Sequence, residues 1–151
     1  MSDGTTGFEL GTDGPLVIVV AMDGTVTSLR AASYAAGLAR RQRAELVVVF
    51  VNTASAMAGF VPAAGLMLAD AHEAVAEELR QLVEDGSRSI GIRARFVAAK
   101  GDAFTEISRI CSAVRADAVV VGASTSAGHR ILGSIGVRLV RAGHWPVTVV
   151  P

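Results

Sequence analysis

The sequence is short of cysteine and of charge, and each shortage excludes a class of protein. Cys111 is the one cysteine among 151 residues, so no internal disulfide can form and a reducing cytoplasm is the expected location. The formal net charge is zero, without a long basic run, which argues against nucleic acid as a partner. Hydrophobic residues make up 51% of the chain and charged residues only 19%, which predicts a folded globular protein rather than a disordered one.

Long hydrophobic runs are also missing. The longest lie near Leu16–Met22 and Leu46–Val51, and both are too short to cross a bilayer. Residues 1–14 lack the basic and apolar regions of a signal peptide and are rich in Gly, Thr and Asp without periodicity. We therefore expect a soluble protein with no membrane partner, made of a flexible tail over residues 1–14 and one domain over residues 15–151.

No metal-ligand set is evident. His72, His129 and His144 show neither the H-E-x-x-H pattern nor another ligand spacing, so we expect no metal site.

Short β-branched runs alternate with segments of helical periodicity. Strands are predicted at Leu16–Met22, Leu46–Val51, Ile92–Ala98, Ala118–Val121 and Val147–Val150. In the third of these, Arg93 and Arg95 alternate with apolar residues, which predicts a position towards the edge of a sheet.

Four helices are predicted between these strands. They run from Thr25 or Thr27 to about Arg41, from about Ala71 to Gly86, from an N-cap at Asp102 through Val114, and from Gly133-Ser134 to Gly143. Cys111 falls on the apolar stripe of the third helix, so we interpret it as a packing residue rather than a nucleophile.

The segment Asn52–Leu68 shows no clear period and contains Gly59, Pro62 and Gly65. We interpret it as a long loop, and loops of this length tend to be functional or disordered. One hypothesis is a lid that is mobile without ligand and ordered with it. The alternative is that its apolar side chains cover the end of the sheet or a dimer partner.

The alternation of predicted strands and helices indicates a doubly wound, Rossmann-like α/β fold, in which a parallel sheet carries helices on both faces. Ligands of such sheets lie beyond the carboxyl ends of the strands, where the winding direction reverses. Asp23 follows the first strand and Gly122 follows the fourth. If these two strands are neighbours, Asp23 and the Gly122–Ser134 loop face one crevice.

The Gly122–Ser134 loop joins a buried strand to a helix, an arrangement that suits phosphate binding. Familiar motifs fit it only in part. Gly128 to Ser134 has the glycine spacing of a Walker A loop without its lysine, and Ser126 replaces the second glycine of a nucleophile elbow. A hydrolase using Ser124 or Ser126 with His129 is the weakest hypothesis, because residues so close in one loop cannot easily turn their side chains towards each other.

Several segments together resemble the universal stress protein family from Leu16 to Pro151. They are Val19–Thr25, Phe50-Val51, Gly101, Asp117–Gly122, Leu132–Ser134 and Trp145–Val150. The resemblance implies a five-stranded sheet in the order 3-2-1-4-5, which places the first and fourth strands side by side. It also implies a homodimer formed through antiparallel pairing of Val147–Val150, an apolar stretch without lysine.

Nucleotide-binding members of that family carry G-x2-G-x9-G-(S/T). Gly122 and Gly133-Ser134 match this motif, whereas Thr125 replaces its second glycine and only seven residues separate Thr125 from Gly133. The resemblance further places Asp23 and Val51 at the adenine. The complete set of predicted nucleotide-binding residues is Asp23, Val51, Gly122, Thr125, Gly128, Arg130, Gly133, Ser134 and Ile135.

Two of these residues bear on the shortened loop. Gly128 can restore flexibility that Thr125 removes. Arg130 either contacts phosphate directly or is simply solvated at the surface.

Two functions of different classes remain open. The first is a stress-response protein that binds an adenine nucleotide (ATP, AMP or cyclic AMP) with little or no turnover, slow ATP hydrolysis being left open. The second is a dimeric interaction module that has lost nucleotide binding. Asp23 and Gly133-Ser134 favour the first function, while Thr125 and the short loop favour the second.

Overall fold

The computed structural model describes residues 14–53, 62–123 and 134–151. Apart from Gly14, the predicted tail lies outside these ranges, so its separation from the domain stays a prediction. The elements follow in the order β1 (Val17–Ala21), α1 (Val26–Gln42), β2 (Glu45–Asn52), α2 (Pro62–Ile90), β3 (Arg93–Lys100), α3 (Ala103–Val114), β4 (Ala118–Gly122), α4 (Ser134–Ala142) and β5 (Val147–Val150).

The five strands form one parallel sheet in the order β3-β2-β1-β4-β5. Val19 in β1 lies opposite Val47 of β2 on one side and Val119 of β4 on the other. This arrangement confirms the predicted doubly wound fold and the predicted adjacency of the first and fourth strands. It also confirms that β3, the strand with alternating arginines, lies at an edge.

Both faces of the sheet are buried because helices cover both, and successive side chains of a strand point to opposite faces. Ile18 and Val20 of β1 pack with α1 and α2 in one core cluster. Val19 packs with α3 and α4 in the other. The run of β-branched residues from Val17 to Val20 in β1 is explained by this double burial.

Small residues let α1 lie close to the sheet. Ala31, Ala35 and Ala39 are fully or almost fully buried against it. Thr25 caps the helix by accepting a hydrogen bond from the Ser28 N–H, and Arg43 ends it in a left-handed conformation.

The second helix is longer than its periodicity indicated, and two expectations about it are corrected. It contains 29 residues, so the part of the predicted loop from Pro62 to Leu68 is helical. A proline is tolerated at the first helical position because the N–H that it lacks would have no partner in the helix. Gly86 does not end the helix, since a single glycine costs only about 1 kcal/mol relative to alanine. Residues 54–61 lie outside the described residues.

Cys111 is completely buried in the core between α3 and the sheet. Burial raises the pKa of its thiol to about 12, so the reactive thiolate is suppressed. The interpretation of this cysteine as a packing residue is confirmed. Within the described part of the chain, no helix is long and apolar enough to span a membrane.

Candidate functional site

A crevice of about 320 Å³ opens at the carboxyl ends of β1 and β4. It lies where the winding of the sheet reverses, the usual ligand position in this architecture. Its lining comes from the β1–α1 turn, the end of β2, the start of α3, the end of β4 and the first turn of α4. The polar and small residues of this lining are Ala21, Asp23, Thr25, Thr27, Ser28, Thr53, Ala103, Gly122, Ala123 and Gly136.

The β1–α1 turn is held by hydrogen bonds among its own side chains. The Thr25 N–H and Thr25 Oγ1 both donate to Asp23 Oδ1, over 2.9 and 2.6 Å. The Asp23 N–H donates to Ser28 Oγ over 3.2 Å, and that hydroxyl donates to the Thr25 carbonyl over 2.9 Å. These bonds fix the backbone of the turn and the orientation of the Asp23 carboxyl group.

Asp23 is an anion at neutral pH. Partial burial raises the pKa of its carboxyl group, but hydrogen bonds from Thr25 and Ser28 and from backbone N–H groups outweigh burial and leave the pKa below its ordinary value. The hydrogen bonds that the N–H and Oγ1 of Thr25 donate to this carboxylate both end on Oδ1. Asp23 lines the crevice, so its carboxylate can also accept a hydrogen bond from a donor group bound there.

Val51 lies near the end of β2 and is paired with Ala99 of β3. Its side chain is half-buried and lines the crevice beside the start of α3. Val51 therefore adds an apolar surface to the crevice wall on the side of β2.

Gly122 ends β4 at the floor of the crevice, and its packing requires a glycine. A Cβ atom at this position would lie 2.6 Å from the Thr27 carbonyl carbon and 2.7 Å from the Ser28 nitrogen. Real Cβ atoms do not approach backbone this closely, so the first turn of α1 can reach β4 only because residue 122 has no side chain. The sequence interpretation, which assigned Gly122 to the phosphate loop, missed this packing role.

The N-terminus of α4 faces the crevice. The helix begins at Ser134, and both Ile135 and Gly136 line the cavity. The first N–H groups of a helix have no intrahelical partner and carry partial positive charge, so this end of α4 can attract an anion.

Four of the predicted site residues lie outside the described residues. These are Thr125, Gly128, Arg130 and Gly133, and the loop positions Ser124, Ser126 and His129 share this status. The structure therefore brings together Asp23, Val51, Gly122 and Ile135 at one crevice, with the backbone of Ser134 beside them.

Two polar residues to which sequence reasoning gave no role, Asp117 and Arg138, join distant parts of the fold. Asp117 Oδ2 accepts hydrogen bonds from the Leu16 and Val17 N–H groups, over 2.9 and 2.8 Å, and so ties the start of β4 to the start of β1. Arg138 of α4 donates to both carboxylate oxygens of Asp102, over 3.2 and 3.4 Å. Neither contact has a local sequence signal, because each joins distant parts of the chain.

The Asp102 carboxyl group also caps α3. Hydrogen bonds from the Thr105 hydroxyl and N–H, followed by those from Arg138, lower the pKa of Asp102 to about 2. The Arg138 guanidinium carbon lies 4.3 Å from the centre of the Phe104 ring, a cation–π distance. Arg138 thus links the start of α3 to α4, the two helices on this side of the crevice.

A metal centre has no support in residues 14–53, 62–123 and 134–151. Within these ranges no group of three or more His, Cys, Asp or Glu side chains is arranged to hold an ion.

A model of the universal stress protein family matches residues 16–151. No curated protein sequence matches the chain. Among solved structures, the universal stress protein UspA from Lactobacillus plantarum is 22% identical with a TM-score of 0.74, over 89% of this chain and 97% of that one.

Two further solved structures contain nucleotides. A universal stress protein in complex with cAMP is 21% identical with a TM-score of 0.67, over 90% of this chain and 96% of that one. A universal stress protein family protein from Arabidopsis thaliana with AMP bound is 17% identical with a TM-score of 0.65, over 90% and 91%. At these identities the three structures show a shared fold.

Proposed function

The chain belongs to the universal stress protein family, and from this premise we propose that it binds an adenine nucleotide in the crevice between β1 and β4. The observation that carries the proposal is the pairing of two groups of opposite polarity in one cavity. Asp23 offers a carboxylate oxygen to the amino group of adenine, while the N-terminus of α4 offers partial positive charge to phosphate. The two structural neighbours that hold cAMP and AMP support this assignment.

The size and loop of the crevice favour a mononucleotide. A cavity of about 320 Å³ is near the lower end of the range for small-molecule sites. The Gly122–Ser134 loop is two residues shorter than the family motif and carries Thr125 in place of a glycine. We therefore expect AMP or cyclic AMP to compete well with ATP, and the substitution Thr125→Gly to improve ATP binding more than AMP binding.

Calorimetry on the full chain with ATP, AMP, cyclic AMP and GMP tests the proposal. Asp23→Asn should weaken adenine nucleotides about tenfold or more, because a hydrogen bond to a charged group is worth about 1.5–3 kcal/mol. Asp85→Asn is the matched control, since Asp85 is an exposed acid paired with Arg88 on α2. Absence of binding to every nucleotide by the wild type would leave the dimeric interaction module as the function.

We propose little or no turnover of the bound nucleotide. No metal-ligand set is evident in the sequence, and the one carboxylate in the described lining of the crevice, Asp23, is assigned here to the adenine rather than to the phosphate. Incubation with radiolabelled ATP should leave nearly all of it unhydrolysed, and rapid release of phosphate that is lost in Asp23→Asn would contradict this proposal.

The proposed oligomer is a homodimer joined through β5, in the cytoplasm. This strand is at the edge of the sheet and has no charged residue, whereas β3 at the other edge carries Arg93, Arg95 and Lys100. Charged side chains on an edge strand oppose pairing with another chain, and β5 lacks this protection.

Sedimentation at micromolar concentration tests the dimer. Val149→Lys should favour the monomer, but Val149 also packs in the core beside α4, so Thr148→Lys is the cleaner substitution. Thr148 is exposed on β5, and Ser112→Lys, at an exposed position on α3, is the matched control. A wild-type protein that sediments as a monomer would overturn the proposal.

A further inference from the structure

A second concave surface lies between α1 and α2, away from the nucleotide crevice. It has a volume of about 650 Å³, and its floor is formed by side chains of the sheet that include Leu46 and Val48. On this side of the sheet α1 packs mainly across β1 and β4, while α2 packs mainly on β3. Neither helix packs mainly on β2, which leaves a groove above this strand between the two helices.

Small residues on both walls keep this groove open. Ala36 and Gly37 face it from α1, and Gly86 and Ser87 face it from α2. A Cβ atom at Gly86 would meet no atom within 4 Å, so the wall is open at this position.

The rest of the lining is largely apolar and partly in water. Leu82 is 52% exposed and Ile90 is 38% exposed, although both line the groove beside the buried floor. Covering exposed leucine and isoleucine side chains with a ligand is favourable, because it removes apolar surface from water.

Two arginines give the groove a polar end. Arg40 and Arg41, in the last turn of α1, both line it. The Arg41 guanidinium lies over Gly37, with Nη1 3.7 Å from the position that a Cβ atom would take there. Among the described arginines, five form ion pairs, namely Arg80, Arg88, Arg95, Arg109 and Arg138, whereas Arg40 and Arg41 form none with any described acid.

We propose that this groove binds a long-chain carboxylic acid of the fatty-acid class. The apolar lining fits the hydrocarbon chain, and the unpaired guanidinium groups at one end fit the carboxylate through charge-assisted hydrogen bonds. The volume lies within the range of small-molecule sites, which are mostly apolar with a few polar groups that fix orientation.

The fatty-acid site is distinct from the proposed nucleotide site, although Met22 lines both. The other groove residues come from the face of the sheet that carries α1 and α2, whereas the crevice lies at the carboxyl ends of β1 and β4 and involves the starts of α3 and α4. Failure of either proposal therefore leaves the other standing.

Calorimetry with dodecanoate, dodecanol and dodecyltrimethylammonium on the full chain separates the contributions of chain and head group. We expect dodecanoate to bind most tightly, dodecanol more weakly and the cationic ligand most weakly. In heteronuclear NMR spectra, dodecanoate should shift the amide signals of Ala36, Gly37, Gly86 and Ser87.

Two substitutions test the groove itself. Gly86→Leu fills it and should weaken dodecanoate at least tenfold without harming the fold, because leucine is the better helix former. Ser89→Leu is its control, since Ser89 is exposed on α2 and does not line the groove.

Arg41→Gln should weaken dodecanoate binding several-fold and leave dodecanol binding unchanged. Arg43→Gln, outside the groove, is the control and should change neither affinity.

Several results would overturn the proposal. They are the absence of dodecanoate binding by the wild type, equal affinity for the cationic ligand, full binding by Gly86→Leu, and amide shifts confined to the nucleotide crevice. Binding that occurs only after removal of residues 1–13 would also overturn it, because the occupant would then be that segment of the chain.

Discussion

The two walls of the nucleotide crevice are built by opposite means. The β1–α1 wall consists of polar side chains, and Asp23, Thr25 and Ser28 hold one another and the backbone by hydrogen bonds. The wall formed by β4 and α4 depends on missing side chains, because Gly122 and Gly136 allow close approach to α1 and to β5. The first wall, called the polar wall, is therefore sensitive to the loss of side-chain atoms. The second, called the glycine wall, is sensitive to their addition.

This difference predicts how substitutions at the crevice act on the free energy of unfolding. On the polar wall, a variant that keeps the hydrogen-bonding atom should keep stability. On the glycine wall, the distance from the new atom to its neighbours should decide the cost.

Gly122→Ala should destabilise the protein by about 1–3 kcal/mol, because its Cβ would clash with backbone atoms of Thr27 and Ser28 that belong to a packed helix. Urea unfolding measures this change. Gly86→Ala adds the same methyl group in open space within α2 and should instead stabilise by about 0.5–1 kcal/mol. Equal stabilities of the two variants would show that the glycine wall tolerates added atoms.

Thr25→Ala should cost about 1 kcal/mol, since it removes the N-cap of α1 and one hydrogen bond to Asp23. Thr25→Ser retains the hydroxyl group and should stay close to the wild type in thermal unfolding. Ser33→Ala is a control within α1, because that exposed hydroxyl donates only to the Leu29 carbonyl. A loss as large in Thr25→Ser as in Thr25→Ala would assign the effect to the methyl group.

Asp23→Asn should change the pH dependence of stability. The pKa of Asp23 is lowered in the folded state, so its ionised form stabilises the fold above the pKa of the unfolded chain. This contribution is lost as the pH falls through the folded-state pKa. The wild type should thus lose more free energy of unfolding than Asp23→Asn between about pH 5 and pH 3, and parallel pH profiles would contradict this.

Gly136→Ala should have the smallest effect, within about 1 kcal/mol of the wild type. Its Cβ would lie 3.4 Å from methyl groups of Val121 and Val149, a tight contact that small side-chain shifts can relieve. The gain in helix propensity from alanine offsets that cost. A loss above about 2 kcal/mol in urea unfolding would mean that α4 is packed as rigidly as α1.

Local patterns were sufficient to predict most of the fold. The β-branched runs at β1, β2 and β4 and the alternating arginines of β3 predicted which strands are buried and which lies at an edge. The start of α2 could not be predicted in the same way, because Pro62 and Gly65 are typical of loops and only their position in a first helical turn makes them compatible with a helix.

The candidate site was predicted only in part, because part of it depends on how distant elements pack together. Asp23 and the start of α4 could be assigned from their places after strands and before a helix, with the family resemblance supplying the nucleotide. The groove between α1 and α2 has no counterpart in the sequence analysis, because it depends on where two helices lie above the sheet.

The sequence by itself determined the alternation of strands and helices, since hydrophobic periodicity and capping residues act over a few neighbouring positions. Only the tertiary structure decided that residue 122 must be glycine and that Asp117 joins the start of β4 to the start of β1. Gly122 meets residues 27 and 28, and Asp117 binds residues 16 and 17, in both cases across roughly a hundred positions of the chain. Contacts over such separations exist only after the sheet has assembled, so a local pattern cannot encode them.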